Sequence, residues 1–425
     1  MKIQNFILCL LLAATLMASC QKDQYAYNMY NPTTEEIDSV SFSTSSNTLI
    51  ADGKATLSFF VETFRRVSLQ NALGVTKDSM LLVDQKMLPE GAVKIYANGE
   101  LLAGNTYSSN TTNLGIITFY AKVGEIETKH ATVKLRAPQQ IPAAKDISLV
   151  FHVFELDPKD AGYNALTYLE LNPLFLQATV DKLNDVFNNR FGNDPNGAQM
   201  AVKFELAKKN AAGSKLQYPG YNKVVYNSTW KASATATSYT PADFKNKINA
   251  IVSMKWDPQK YVNIYIIPLP ANTGVGSNVP TYQMKIAGED PIPGVPNSIT
   301  DLNAVVGTDF YETYGLGIQR NLFTKDKFQV AEIASYLGKY YGLKSTNVNQ
   351  VTDTDYCTDT RKYIGSTQVN NLIKLGIDGY RFVANNAMDD VRYPSLRNCF
   401  TVDQVNRMQS VLQRSPVRQS YTLQK

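Results

Sequence analysis

Between about residues 37 and 136, apolar and polar side chains alternate in short runs. Val40-Ser41-Phe42 is one, and Ala55-Thr56-Leu57-Ser58-Phe59-Phe60-Val61-Glu62 is a longer one. Successive side chains of an extended chain point to opposite faces, so alternation gives one apolar face to a core and one polar face to water. Val93-Lys94-Ile95-Tyr96 runs into Asn98-Gly99, and Leu101-Leu102 resumes beyond. Asn-Gly tolerates left-handed backbone at both positions and so closes a tight hairpin. Ile116 to Val123 and Ala131 to Leu135 complete the set. Strands at this spacing predict an all-β sandwich over 37–136.

The pattern changes after the Pro-containing joint Ala137-Pro138-Gln139-Gln140-Ile141-Pro142-Ala143-Ala144, a linker over 137–145. Ile147 to Phe154 is almost continuously apolar, as in a strand buried on both faces. Leu176, Val180, Leu183, Phe187 and Phe191 then recur at helical spacing. Ala201 to Leu206 alternates again. Thr240-Pro241-Ala242-Asp243 offers an N-cap, a proline at the first helical position and an acid two residues on, with Phe244, Ile248 and Val252 as the apolar face. Tyr261 to Leu269 is another buried strand. Strand, helix, strand, helix, strand predicts an α/β domain over 146–415, followed by a tail at 416–425.

The N-terminus carries a different signal. Lys2 precedes the apolar stretch Phe6 to Met17, too short to span a bilayer. Met17-Ala18-Ser19-Cys20 follows and resembles a bacterial lipobox. Residues 1–19 are expected to be a lipoprotein signal peptide, Cys20 the lipidation site, and 20–36 a polar tether. Gln21-Lys22-Asp23 is similar to the export signals of surface lipoproteins in Bacteroidota. The expected location is the cell envelope, at the outer membrane or cell surface, with the membrane as partner through the lipid. The formal net charge of +5 is spread along the chain, without a basic block interleaved with aromatics, so nucleic acid is not an expected partner. The whole chain holds only two His, which limits the chemistry available to it.

Ala51-Asp52-Gly53-Lys54-Ala55 before a strand resembles the immunoglobulin-like domains of bacterial surface proteins. The second domain resembles the pappalysin family of metzincin zinc proteases (M43-type). Phe151-His152-Val153, Lys182-Leu183-Asn184 with Phe187-Asn188, Val262-Asn263-Ile264-Tyr265-Ile266, and Phe400-Thr401 with Gln404, Arg407 and Met408 carry the likeness over residues 145–412. The family's catalytic helix reads H-E-x-x-H-x-x-G-x-x-H. Two His one turn apart face one metal, the Gly lets the chain turn to bring in the third, and the Glu polarises the bound water. The corresponding run here is Ala331-Glu332-Ile333-Ala334-Ser335-Tyr336-Leu337-Gly338-Lys339-Tyr340-Tyr341.

Glu332 and Gly338 keep their spacing, but the ligand positions are Ala331, Ser335 and Tyr341. Ala has no donor atom, Ser is a poor zinc ligand, and one Tyr cannot replace three imidazoles. The resemblance therefore implies an ancestral zinc that has been lost, a vestigial Glu332 and no cofactor. Met388 matches the family's Met-turn, and Asp390 stands where a Tyr often follows. Cys357 and Cys399 fall where the family commonly has a disulfide, and one is expected. Asp353, Asp355 and Asp359 could hold calcium, as relatives do near this loop; a solvated acidic loop is the alternative, because no bidentate Glu is evident. Three functions fit these residues. They are a pseudoprotease binding peptide or protein, an active metallopeptidase with metal held by Glu332, Tyr341 and nearby carboxylates, and a structural or adhesion lipoprotein.

Overall fold

Alternating stretches become strands where their apolar face finds a partner. In the computed structural model the described residues are 31–70, 72–192, 194–269, 290–296, 310–324, 330–368, 371–390, 396–415 and 418. The expected signal peptide, Cys20 and most of the expected tether and tail lie outside them. The chain is mostly β with few helices. Among the described residues no helix is long and apolar enough to cross a membrane.

Up to residue 136 the strands are β1 (Ser39–Thr44), β2 (Thr48–Ile50), β3 (Leu57–Gln70), β4 (Thr76–Val83), β5 (Val93–Ala97), β6 (Glu100–Leu101), β7 (Thr106–Tyr107), β8 (Ile116–Val123), β9 (Ile126–Glu127) and β10 (Ala131–Arg136). One sheet has the order β1-β3-β4 with β7 on β3, and the other β2-β10-β8-β5-β6 with β9 on β8. Asn98 and Gly99 both take positive φ, 48° and 89°, and close the β5–β6 hairpin as their sequence predicts.

The chain divides into two compact units. The first comprises the described residues up to Val40 with Glu62–Val93 and Val123–Ile126. Ile37, Val83, Leu88 and Val123 form its core. Its longest feature is the antiparallel β3–β4 hairpin, paired from Thr63↔Val83 to Gln70↔Thr76.

The second unit takes in Ser41–Val61, Lys94–Lys122 and everything from Glu127. Its first core gathers Phe42, Leu57 and Phe59 against Ile95, Phe119 and Val133, with the Phe59 and Phe119 rings 5.0 Å apart. Its second core is built on a parallel sheet of β11 (Lys145–Leu156), β12 (Val202–Leu206), β13 (Tyr221–Tyr226), β14 (Val262–Ile267) and β15 (Gly315–Gln319). The order is β12-β11-β14-β15, and β13 pairs with the C-terminal half of β11. Ile147 through Glu155 are all buried, which is why this strand reads as a continuous apolar run.

The longer helices are α1 (Phe175–Phe187), α2 (Pro241–Ala250), α3 (Val330–Tyr340) and α4 (Val402–Arg414). Thr240 caps α2, with Pro241 at the first position and Asp243 closing the capping box. Two apolar positions fall outside their predicted helices. α1 stops at Phe187, leaving Phe191 exposed, and α2 stops at Ala250, leaving Val252 78% exposed in a short turn. In both cases the periodic pattern runs on past the last residue that has a core to face.

Candidate functional site

The run that resembles a zinc-protease helix is α3. Its apolar stripe of Ile333, Ala334, Leu337, Tyr340 and Tyr341 is buried in the core against the parallel sheet. Residues three and four apart share a helix face. Ser335 and Gly338 therefore face one neighbour together, the turn at Met388. Ser335 Oγ lies 4.0 Å from the Met388 sulfur. A Cβ built on Gly338 would come within 2.9 Å of that sulfur and 3.2 Å of Leu343 Cδ1. The missing side chain is thus what lets helix and turn close-pack.

Gly338 does not turn the chain, contrary to what the family motif implies. α3 runs straight through it, and Gly342 ends the helix at φ 92°. Leu343 N–H donates to the Gly338 carbonyl (3.0 Å) and Gly342 N–H to the Lys339 carbonyl (2.8 Å), the paired closure of a Schellman motif. Tyr341 is therefore the helix's C-cap. It is fully buried, and among the described residues its hydroxyl has no hydrogen-bond partner. Burial holds this phenol far above its ordinary range, so it remains a neutral phenol.

Glu332 stands on the half-exposed face with Tyr336 and Lys339. Its carboxylate is ion-paired with Arg397, whose side chain is 5% exposed. Arg397 Nη2 also donates to the Ala387 carbonyl, 3.0 Å away, so one guanidinium ties the glutamate to the residue preceding Met388. Burial pushes the Lys339 ammonium down and the Tyr336 phenol up. Sequence reasoning missed Arg397, because nothing in its neighbourhood marks it and only the fold brings it 65 residues back to Glu332.

The Met388 turn is held from below. Met388 N–H donates to Asn386 Oδ1 (2.9 Å), Asn386 exchanges side-chain hydrogen bonds with Gln404, and Thr346 donates to the Met388 carbonyl (3.1 Å). Asp389 accepts from Thr346 and from Asn386 N–H, yet its burial lifts it to about 6. Asp390 N–H donates to Tyr363 Oη at 2.7 Å, so a tyrosine from a separate strand meets this turn. A polar cavity of about 30 Å3 is lined by Asp194, Thr346, Asp359, Arg361, Asn386 and Asp389 among others, but not by Glu332, Ser335 or Tyr341. It has room for one or two waters.

The three aspartates are put to separate uses. Asp353 accepts from the N–H groups of Asn349 and Gln350, each 3.0 Å away. Asp355 accepts from Thr360 and from Cys357 N–H. Asp359 accepts from Asn196 (2.8 Å), Thr401 (2.7 Å) and the backbone of Asp403, with Arg136 3.3 Å away. Among the described residues no group of three or more His, Cys, Asp or Glu is placed to hold a metal ion. Calcium through Asp353, Asp355 and Asp359 is thus not supported by their arrangement, since each already caps backbone or pairs across the unit.

The expected bridge between Cys357 and Cys399 is not formed, and both are buried free thiols. Cys399 Sγ lies 3.4 Å from the Asn385 carbonyl, while Cys357 sits beside the carboxyls of Asp355 and Asp359. Burial pushes both thiols up, so neither is a ready nucleophile. Adding reductant is expected to leave the unfolding temperature unchanged. A bridge closing a loop of this length would contribute about 4 kcal/mol, so a clear drop with reductant would overturn the free-thiol assignment.

His152 and His130 stay apart from α3's motif. His152 is buried between β13 and β14 side chains, and His130 is exposed, stacked 4.5 Å from Tyr120 and bonded to Glu127.

Among solved structures, the chain is similar to a promirolysin mutant of Tannerella forsythia, at 17% identity over 66% of this chain and 85% of that one, with a TM-score of 0.46. It is also similar to mature mirolysin of Tannerella forsythia in complex with a cleaved peptide, at 16% identity over 66% and 96%, TM-score 0.44. Mirolysin in complex with compound 9 gives 16% identity over the same shares and a TM-score of 0.45. No protein-family model and no curated protein matches the chain.

Proposed function

We propose that this chain is a lipid-anchored protein of the cell envelope whose metzincin-like part binds peptide or protein without hydrolysing it. One observation carries the reading. The helix-on-Met-turn scaffold is kept, while the positions that would serve a metal have been given to packing. Zinc in such a site needs three protein donors converging at about 2 Å, with one position left for water. Ser335 instead rests on the Met388 sulfur, Tyr341 is a buried cap, and Ala331 has no donor atom. These residues do not fit a zinc ion. Glu332 would need a metal-polarised water to act as a base, and its carboxylate is neutralised by Arg397. The ion pair keeps the half-exposed face of α3 ordered. An extended peptide would add to the sheet edge by backbone hydrogen bonds, with side-chain pockets setting its preference.

Anchoring rests on the lipobox at Cys20. Each buried acyl CH2 contributes about 0.8 kcal/mol, so several chains together hold the protein at the bilayer. The test is metal content by elemental analysis of the purified full chain, together with peptide cleavage and peptide titration. The expected result is no stoichiometric transition metal, no cleavage and saturable binding. Stoichiometric zinc with cleavage would instead establish a metallopeptidase with a non-standard site. Absence of any saturable binding would leave an adhesion or structural component.

A further inference from the structure

The β3–β4 hairpin projects an apolar surface that its own unit does not cover. Side chains alternate along paired strands, so one face can be followed by steps of two from the buried pair Thr63 and Val83. On β3 that face carries Arg65, Val67 and Leu69. On β4 it carries Leu81, Ser79 and Lys77, and Val75 continues it toward the turn. Leu69 is 56% exposed and Val75 59%, and Leu73, where the strands join, is 87% exposed. The opposite face carries Met80 (46% exposed) and Leu82 (58%) nearer the base and polar residues toward the tip. Ser68 donates to Asp78 at 2.6 Å, and Gln70 faces Thr76. The hairpin therefore exposes apolar side chains on both faces and is tipped with leucine and valine.

Three further facts select the occupant of that face. Between Thr63 and Val83 the charged residues are Arg65, Arg66, Lys77 and Asp78; Arg65 is 4.0 Å from Glu36, and Arg66 and Lys77 are the cations suited to phosphate headgroups. Lys77 pairs across from Leu69, and its long stem can lie on the apolar face while the ammonium reaches outward. The hairpin also belongs to the same compact unit as the described residues up to Val40. From Cys20 to Asn31 is eleven residues, which span at most about 38 Å when fully extended. A lipid on Cys20 thus confines this unit to the immediate neighbourhood of the bilayer.

We infer that the distal β3–β4 hairpin enters the headgroup and upper acyl layer of the membrane that holds Cys20, a second and non-covalent contact. The inference rests on the anchored-lipoprotein reading. Leu69, Leu73 and Val75 enter the apolar layer, and Arg66 and Lys77 stay with the phosphates. The lipid gives residence at the membrane, and the hairpin fixes which side of the first unit faces it.

The experiment places an indole at the tip with Leu73→Trp and, as control, in the exposed turn outside the hairpin with Lys86→Trp. Each full chain is reconstituted in phosphatidylethanolamine/phosphatidylglycerol vesicles with brominated acyl chains, with the signal of native Trp230 and Trp256 subtracted. Cys20 acylation is read by mass. A blue-shifted, bromolipid-quenched emission for the tip and none for the control is the expected result. An acylated protein with an unquenched tip overturns the hairpin contact and leaves the anchor standing. A blue shift without quenching means that protein covers the face, and it too overturns the inference. If Cys20 carries no lipid the anchor reading fails; the protein mixed with vesicles then decides, quenching supporting the hairpin contact and its absence overturning it.

Discussion

Replacing Arg320 with Ala is expected to cost about 3–5 kcal/mol of folding stability, because it strands a charge in the core of the second unit. Arg320 follows β15, and its Nη1 lies 2.7 Å from Glu155 Oε1, with side-chain exposures of 9% and 1%. The same guanidinium donates to the carbonyls of Phe154 (3.0 Å) and Leu169 (2.6 Å) and covers the Tyr168 ring. Glu155 in turn accepts from Leu171 N–H and the Tyr168 hydroxyl. The pair thereby joins the end of β11, the end of β15 and the segment leading into α1. Removing the cation leaves the carboxylate these donors and the Tyr221 hydroxyl at 3.5 Å, but no counter-charge and no route to water. Arg320→Met combined with Glu155→Met removes both charges at similar volume and is expected to recover most of the loss. Equilibrium urea unfolding of the three proteins measures this. A loss below about 1 kcal/mol for the single variant would mean that water reaches the pair and that it does not hold the sheet end together.

The second large effect is a pH dependence set by His152. This imidazole lies inside the parallel sheet, stacked 4.7 Å from the Tyr265 ring and edge-on to Trp256. Asn263 Nδ2 donates to the Trp256 carbonyl, which turns its Oδ1 toward His152 Nε2 at 2.9 Å. Nε2 is therefore the donor, and Nδ1 accepts from Asn222 Nδ2 at 2.8 Å. That arrangement suits only the neutral ring, and burial lowers its pKa to about 4 from the ordinary 6.5. Between those two values the unfolded chain binds the proton and the folded one does not. Stability therefore falls as pH falls from 6.5 toward 4, by about 3 kcal/mol, and is level above 6.5.

Asp389 works the other way. Its folded pKa of about 6 lies above the unfolded value, so its contribution grows as pH falls through 6. The two oppose each other, and the wild-type profile is expected to be shallow. Subtraction isolates the histidine: His152→Gln keeps a donor for Asn263 but cannot titrate. The stability advantage of the natural chain over this variant should shrink by about 3 kcal/mol between pH 7 and 4. An advantage that stays constant with pH would show that His152 is solvated or already charged in the fold.

Much of this was legible in the chain. The alternation of residues 55–62 and 116–123, the Asn98-Gly99 turn, and the cap Thr240-Pro241-Ala242-Asp243 each express a local rule: pleat, left-handed backbone tolerance, or an orphan N–H seeking an oxygen. Those rules involve neighbours in sequence, so reading residues in order suffices. That Ala331, Ser335 and Tyr341 are not His is likewise read from the chain alone.

How these positions are used is a matter of distance in space. That Gly338 packs on Met388 rather than bending the chain, that Gly342 ends the helix, and that Arg397 holds Glu332 all depend on segments about 50 residues or more apart meeting across a core, except for the helix end itself. The two cysteines and three aspartates make the same point. Their spacing is suggestive, but bridging and chelation need converging side chains, and here the aspartates cap backbone and the thiols stay apart. The sequence by itself determined which atoms were available. Only the tertiary structure decided which of them meet, because buried polar groups take whatever partner the close-packed core brings within hydrogen-bond reach.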